Sequence, residues 1–266
     1  MNLEQLTTYY KSRGIAATAF KCPHLKDCSS GATDFVEARE PLVGDQYELG
    51  ILPRLLFISL DPATDMVGRS PQDRAALHVR EWESRQARSA NGGPEFKKTA
   101  HWYRTYELAH RILAPIARER GMSPLSFSQM WRYFAHTNSA KCKDTGVGTA
   151  QATARIFQNC QEFIPGEVAV LEPDIIVTQG KFARESVAGA FPVVAVGLAP
   201  NPSYRAEVVD VGGHLAIKFE THHPNRKDNS YRNEVAEAWK WYATVAAVFT
   251  RDGLPALMSE YGFSEA

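Results

Sequence analysis

The sequence predicts a doubly wound α/β domain, with helices on both faces of a central, mostly parallel sheet: a three-layer α/β/α sandwich. Three observations carry that expectation. Strand-like and helix-like segments alternate along the chain. The strand-like runs at Arg54–Leu60 and Pro173–Gln179 are short and continuously apolar, as strands buried on both faces of a parallel sheet are. Three of the runs also lead into turns that carry chemically distinctive residues, and the carboxyl ends of parallel strands are where such folds hold ligands.

Taken in order, Leu3 to Arg13 reads as a short helix stopped by Gly14. The strand at Arg54–Leu60 runs into the turn signal Asp61-Pro62. Residues 65–94 are polar, arginine-rich and end in Asn-Gly-Gly-Pro, which reads as a long insertion loop. Helical spacing returns from Ala100 to Arg118, where Trp102, Tyr106, Ala109, Ile112 and Leu113 share a face. A strand over Tyr133–Thr137 and a helix over Thr149–Phe163 follow. After Pro173–Gln179, Gly180 opens a short helix, and strands are expected at Phe191–Val196 and His214–Glu220. A long helix over Asn229–Phe249 completes the set, all within one domain spanning 1–266 with no internal repeat.

The balance of 30 basic and 30 acidic residues argues against an indiscriminate nucleic-acid coat, though it permits local basic faces. Between Asp65 and Arg104 there are eight Lys/Arg against five Asp/Glu, and Arg226, Lys227 and Arg232 surround a histidine pair. Such groups contact a few phosphates or are simply solvated. No apolar run approaches 18 residues and the first residues lack a secretory pattern, so a cytoplasmic protein without membrane spans is expected. In that reducing compartment the four cysteines, Cys22, Cys28, Cys142 and Cys160, read as metal ligands or buried thiols rather than disulfides. Two pairs far apart in sequence suit one four-thiolate site closed by the fold. His24, between the first pair, reads as a loop residue.

The three distinctive turns are Ser59-Leu60-Asp61-Pro62-Ala63-Thr64, Thr137-Asn138 and Thr221-His222-His223-Pro224-Asn225. On parallel strands, Asp61, Asn138 and His223 converge on one edge. A carboxylate orients water or stabilises a cation, an imidazole stabilises a departing anion, and an amide reads a heterocycle with one donor and one acceptor. Each has a plainer reading: Asp-Pro as a turn former, Asn as a strand-end cap, His-Pro as structural. Their joint placement is the signal.

These segments resemble the uracil-DNA glycosylase superfamily, and most closely its iron–sulfur, thermophile-type branch. The Thr-Asn-x-x-Lys-Cys segment of that branch is matched by Thr137-Asn138-Ser139-Ala140-Lys141-Cys142. Cys160 and then Leu171-Glu172-Pro173-Asp174-Ile175-Ile176-Val177-Thr178-Gln179-Gly180 match its next blocks. Gly93-Pro94-Glu95-Phe96-Lys97-Lys98-Thr99-Ala100 looks like its Pro-Phe-x-x-x-Ala segment with one residue inserted, and His223-Pro224 like its last motif. The likeness runs from about residue 20 to about residue 245. Ser59-Leu60-Asp61-Pro62 instead resembles another branch, which has Gly-Gln-Asp-Pro-Tyr-His and uses its Asp to activate water.

The resemblance implies hydrolysis of an N-glycosidic bond in DNA after a pyrimidine is flipped from the stack. Asp61 and His223 would be catalytic, Asn138 would read the base edge, and Phe96 would stack on it. Pro62, Ala63, Pro224 and Asn225 would complete the substrate-binding set. Ala63 stands where the other branch has a tyrosine that blocks a 5-methyl group, which leaves room for uracil or a 5-modified pyrimidine. One such base is a modified cytosine of phage DNA, so repair and antiviral defence are both open. Cys22, Cys28, Cys142 and Cys160 would ligate a structural 4Fe–4S cluster, with zinc the lesser alternative. The five residues between Cys22 and Cys28 make that pair wider than in the branch. Two other readings stay open: a non-catalytic nucleic-acid-binding module on the same scaffold, and a hydrolase of free nucleotides.

Overall fold

Leu55, Leu56, Phe57 and Ile58 are fully buried and alternate between two apolar layers, so this stretch has nowhere to place a polar side chain. The computed structural model describes residues 3–17, 19–32, 35–36, 40–60, 101–144, 152–225 and 229–266. The elements in chain order are α1 (Leu3–Ser12), α2 (Leu25–Ser29), β1 (Phe35–Val36), β2 (Leu42–Val43), α3 (Asp45–Leu49) and β3 (Leu55–Ser59). Next come α4 (His101–Glu119), β4 (Phe134–Asn138), β5 (Lys143–Asp144), α5 (Ala154–Cys160), α6 (Ile164–Leu171) and β6 (Ile175–Gln179). Then follow α7 (Lys181–Glu185), β7 (Val193–Leu198), β8 (Arg205–Val211), β9 (His214–Thr221), α8 (Ser230–Glu237), α9 (Trp239–Asp252), α10 (Leu254–Glu260) and β10 (Ser264–Glu265).

The main sheet has the order β10-β7-β8-β9-β6-β3-β4-β2. Its centre, β9-β6-β3-β4, is parallel throughout. Antiparallel strands extend it on both sides, so five of the eight strands run one way. Side chains alternate across the sheet. Leu55, Phe57, Ile175, Val177, Ile217 and Phe219 meet α4 and α9 on one face. Leu56, Ile58, Ile176 and Ala216 meet α1, α5 and α6 on the other. This is the three-layer α/β/α arrangement, and each fully buried Leu, Ile or Phe contributes roughly 1.5–3 kcal/mol to it.

The expected strands and the helix following residue 100 form close to their predicted bounds, and the departures have local causes. β8 was not anticipated; it pairs with β9 through Gly212 and Gly213, both at positive φ (65° and 93°), in a two-residue hairpin. The single helix expected over Asn229–Phe249 is two, α8 and α9, which meet at Ala238, where φ opens to −117°. The helix expected from Thr149 begins at Ala154, where the Thr153 hydroxyl accepts from Ile156 N–H at 3.3 Å. It does not end at Phe163: a short 3-10 turn leads into α6, whose Pro165 sits in the first turn, where no amide hydrogen is needed.

A second, two-stranded sheet pairs Phe35 with Asp144 and Val36 with Lys143. It ties the segment after Cys28 to the segment after Cys142. The proposed insertion at 65–94, together with Asp61, Pro62, Ala63 and Phe96, lies outside the described residues. Among the described residues no helix is long and apolar enough to cross a membrane.

Candidate active site

The four parallel strands end level with one another. Ser59 stands beside Asn138 in register, and Gln179 beside Thr221. Pairing continues one step past the ends of β3 and β4: Ser139 N–H donates to the Ser59 carbonyl (2.7 Å) and Ala140 N–H to that of Leu60 (2.8 Å). The Ser139 hydroxyl donates to the same Leu60 carbonyl at 3.0 Å. These bonds fix where the chain leaves the sheet, one residue before Asp61. The sequence expectation that β3, β4 and β9 deliver their turns to one edge is met.

Beneath this edge runs a buried polar chain. Ser59 Oγ donates to Gln179 Oε1, and His136 Nε2 lies 2.9 Å from Ser59 Oγ. Since the serine hydrogen is committed to Gln179, His136 is the donor in that contact. Gln179 Nε2 donates to Thr105 Oγ1 at 3.1 Å, which reaches α4. Asn138 is 5% exposed, and its side-chain amide has no hydrogen-bond partner among the described residues.

The turn after β9 is braced from two helices. Glu234, 1% exposed, accepts from His222 N–H (2.7 Å) and Trp239 Nε1 (2.9 Å), and stands 2.6 Å from His222 Nδ1. Arg104 of α4 donates to the Pro224 carbonyl while stacking 3.9 Å above the Tyr231 ring. Within the turn, Asn225 N–H donates to His223 Nδ1 at 3.2 Å. A neutral His223 therefore carries its hydrogen on Nε2, which is free to donate. Burial holds His223 at about 4, below the usual 6.5 of imidazole, so the neutral form prevails at pH 7. Beside it, burial and then the charge of His223 push His101 to about 3.

Both values lie below that of a free imidazole, so the unfolded chain takes up protons first as the pH falls. The stability contributed by the neutral pair is complete above about pH 6.5 and lost progressively down to about pH 4 for His223 and 3 for His101. For His223 the span amounts to roughly 3 kcal/mol. Urea midpoints measured at pH 7.5 and 4.5 should show a smaller drop in His223→Asn than in the parent chain.

Gly180 caps this corner. Its φ is +98°, and a Cβ there would lie 3.1 Å from the Cβ of His223 and 3.4 Å from Leu60 Cδ2. Gly180→Ala is expected to cost about 1–2 kcal/mol in backbone strain and to displace the histidine turn. The check is a thermal melt paired with an NMR titration of His223. A cavity of about 640 Å³ opens here, lined by Leu60, Gly180, Tyr204, Arg205 and His223 among others. Basic and acidic groups meet on its wall: Arg184 and Arg205 pair with Glu220 at 3.4 and 3.7 Å.

The cysteines belong to the second apolar layer but do not gather at one point. Cys28, Cys142 and Cys160 are buried in the layer formed with α1, α5 and α6, and Cys22 packs against it. None is in a disulfide. Cys160 Sγ accepts from Lys141 N–H at 3.2 Å, and Cys28 Sγ from Asn159 Nδ2 at 3.3 Å. Burial pushes the Cys160 thiol up to about 11, with Cys28 and Cys22 close enough to add smaller contributions. Among the described residues, no three His, Cys, Asp or Glu side chains are gathered to grip a single ion. His24 is a loop residue as expected, its Nε2 2.5 Å from Glu162 Oε1.

Of the residues singled out from the sequence, Asn138, His223, Pro224 and Asn225 are on the described edge. His101, His136, Arg104, Gln179 and Glu234 were not anticipated. His136 and Gln179 did leave a trace, as polar residues inside otherwise apolar strands; the helix residues left none. The sequence matches no family model and no curated protein. Among solved structures it is similar to a domain of unknown function from Bordetella bronchiseptica with bound citrate, at 11% identity and a TM-score of 0.30. That match covers 71% of this chain and 41% of the other, so the chain spans about two fifths of that structure. A likeness this shallow carries no functional argument.

Proposed function

We propose that the chain is a monofunctional DNA glycosylase that hydrolyses the N-glycosidic bond of uracil or a 5-modified pyrimidine after base flipping, leaving an abasic site. One observation carries the reading: Asn138 and His223 stand on one sheet edge with an open amide and an open Nε2–H, where the chain exits toward Asp61. Asn138 meets the edge of the flipped base with donor and acceptor together. His223 Nε2–H donates to the base carbonyl oxygen as the bond electrons move onto the base. Asp61 stabilises the positive charge left on the sugar and orients the water whose oxygen bonds to the anomeric carbon. Phe96 stacks on the base, and Pro62, Ala63, Pro224 and Asn225 border it.

Cys22, Cys28, Cys142 and Cys160 would hold the 4Fe–4S cluster that the resemblance implies. What supports the assignment is that the thiols belong to one apolar layer and that N–H groups donate to two of the sulfurs. When bound, it supplies a cross-link between the N-terminal segment and the loop after Asn138.

The test is mass spectrometry of bases released from normal, uracil-containing and modified-pyrimidine DNA, single- and double-stranded. Release of one base class with abasic sites supports the reading. Folded protein that binds oligonucleotides and releases nothing points to a binding module. Turnover of free nucleotides alone points to a small-molecule hydrolase. Iron and sulfide analysis of the purified chain decides between cluster and zinc.

A further inference from the structure

His101 opens α4 directly after the segment that carries Phe96, and the reaction as drawn gives it no role. Its ring centroid lies 5.3 Å from that of His223, tilted by 40°, and 5.7 Å from that of His136 at 90°. Trp102 closes the group, 5.3 Å from His101 and 4.6 Å from His136. The ring nitrogens of His101 have no hydrogen-bond partner among the described residues. One turn further on, Arg104 holds the Pro224 carbonyl and Thr105 receives Gln179. The first turn of α4 therefore grips the ring, the backbone and the floor of the histidine turn at once.

We propose that His101 is a positioning residue that keeps His223 a neutral Nε2–H donor, by covering its ring against water on the α4 side. An imidazolium needs water or an anion beside it. His101 displaces the water and offers no charge, since its own protonation is disfavoured by the same enclosure.

Among the described residues, the other groups around the turn give His223 no compensating anion. Arg104 on α4 is a cation at the neighbouring carbonyl. Glu234 on α8 is taken up by His222 and Trp239. Glu220 on β9 faces Arg184, Arg205 and Lys218. Lys181, at the start of α7, lines the same cavity, and His136 on β4 stands behind His101, bound to Ser59. Asp61 lies outside the described residues. The inference rests on the glycosylase reading only for its effect on rate.

The experiment is an NMR titration of the imidazoles in the parent chain, His101→Phe and His101→Ala, with His101→Gln as a second variant should alanine unfold the chain. The His223 midpoint should stay near 4 in the parent chain and in His101→Phe, which keeps the cover. It should rise by about one unit or more toward 6.5 in His101→Ala or His101→Gln. The ratio of base-release rates at pH 5 and pH 8 should fall about twofold for a rise of one unit and about tenfold for a rise of two in the same variants. A purely structural role would slow the reaction equally at both pH values and leave the titration in place. An unmoved His223 midpoint in either folded variant overturns the proposal. If no variant, nor the parent, releases a base while the midpoint moves, the glycosylase reading fails and the role of His101 stands.

Discussion

If the chain is the glycosylase proposed above, Asp61→Asn is expected to slow single-turnover base release by roughly 10²–10⁴-fold, and His223→Ala by roughly 10²–10³-fold, with the fold intact. The asparagine keeps the size of the aspartate and removes the charge that steadies the cationic sugar, so the loss falls on the chemical step. Alanine at 223 removes the Nε2–H donor and also the acceptor for Asn225 N–H. His223→Gln restores an N–H donor and should recover part of the rate, which separates the lost donor from a disturbed turn. Oligonucleotide affinity should change little in all three. Parent-like rates in either Asp61→Asn or His223→Ala would remove these residues from the reaction.

Lys141→Met is expected to destabilise the chain by about 3–5 kcal/mol, the largest stability effect of any single change considered. Lys141 and Glu167 form an ion pair with 1% and 0% of their side chains exposed. Lys141 Nζ also donates to Thr137 Oγ1 at 2.8 Å, and that hydroxyl donates to Glu167 Oε1 at 2.6 Å. The Tyr10 hydroxyl donates to the same carboxylate, and burial followed by the Glu167 charge holds that phenol well above its usual pKa, so it remains a donor. Removing the ammonium leaves a buried carboxylate with hydroxyl partners alone. The double change Lys141→Met with Glu167→Leu should cost clearly less than the sum of the single changes, since no lone charge then remains inside. Urea denaturation of the three variants supplies the comparison, and additive losses would show that the pair does not act as a unit.

The Lys141 pair also bears on the site. Lys141 sits between Asn138 and Cys142, and its partner is on α6. The Thr-Asn-x-x-Lys-Cys segment is therefore one mechanical piece: Thr137 and Lys141 anchor it inward, while the amide of Asn138 is left open. The resemblance assigned roles in this segment to Asn138 and Cys142, and none to Thr137 or Lys141. The partners, Tyr10 and Glu167, lie on helices far from this segment in the chain, and no local spacing announces them.

What the sequence determined by itself is the layered class, the strands that form the parallel centre, and the delivery of Asn138 and His223 to one edge. Those follow from local physics: continuous apolar runs must be buried on both faces, and parallel strands put their carboxyl ends together. The strand β8 was not read from the sequence, although Gly212-Gly213 is a turn signal; its pairing with β9 came from the structure. Only the tertiary structure decided which imidazole is neutral, which hydroxyl serves Gln179, and which helix covers His223. Those depend on contacts such as His101 with His223 and Ser59 with Gln179, made by residues about 120 positions apart in the chain. Burial and hydrogen bonding at such contacts set protonation and tautomer, and neither is a property of any residue together with its sequence neighbours.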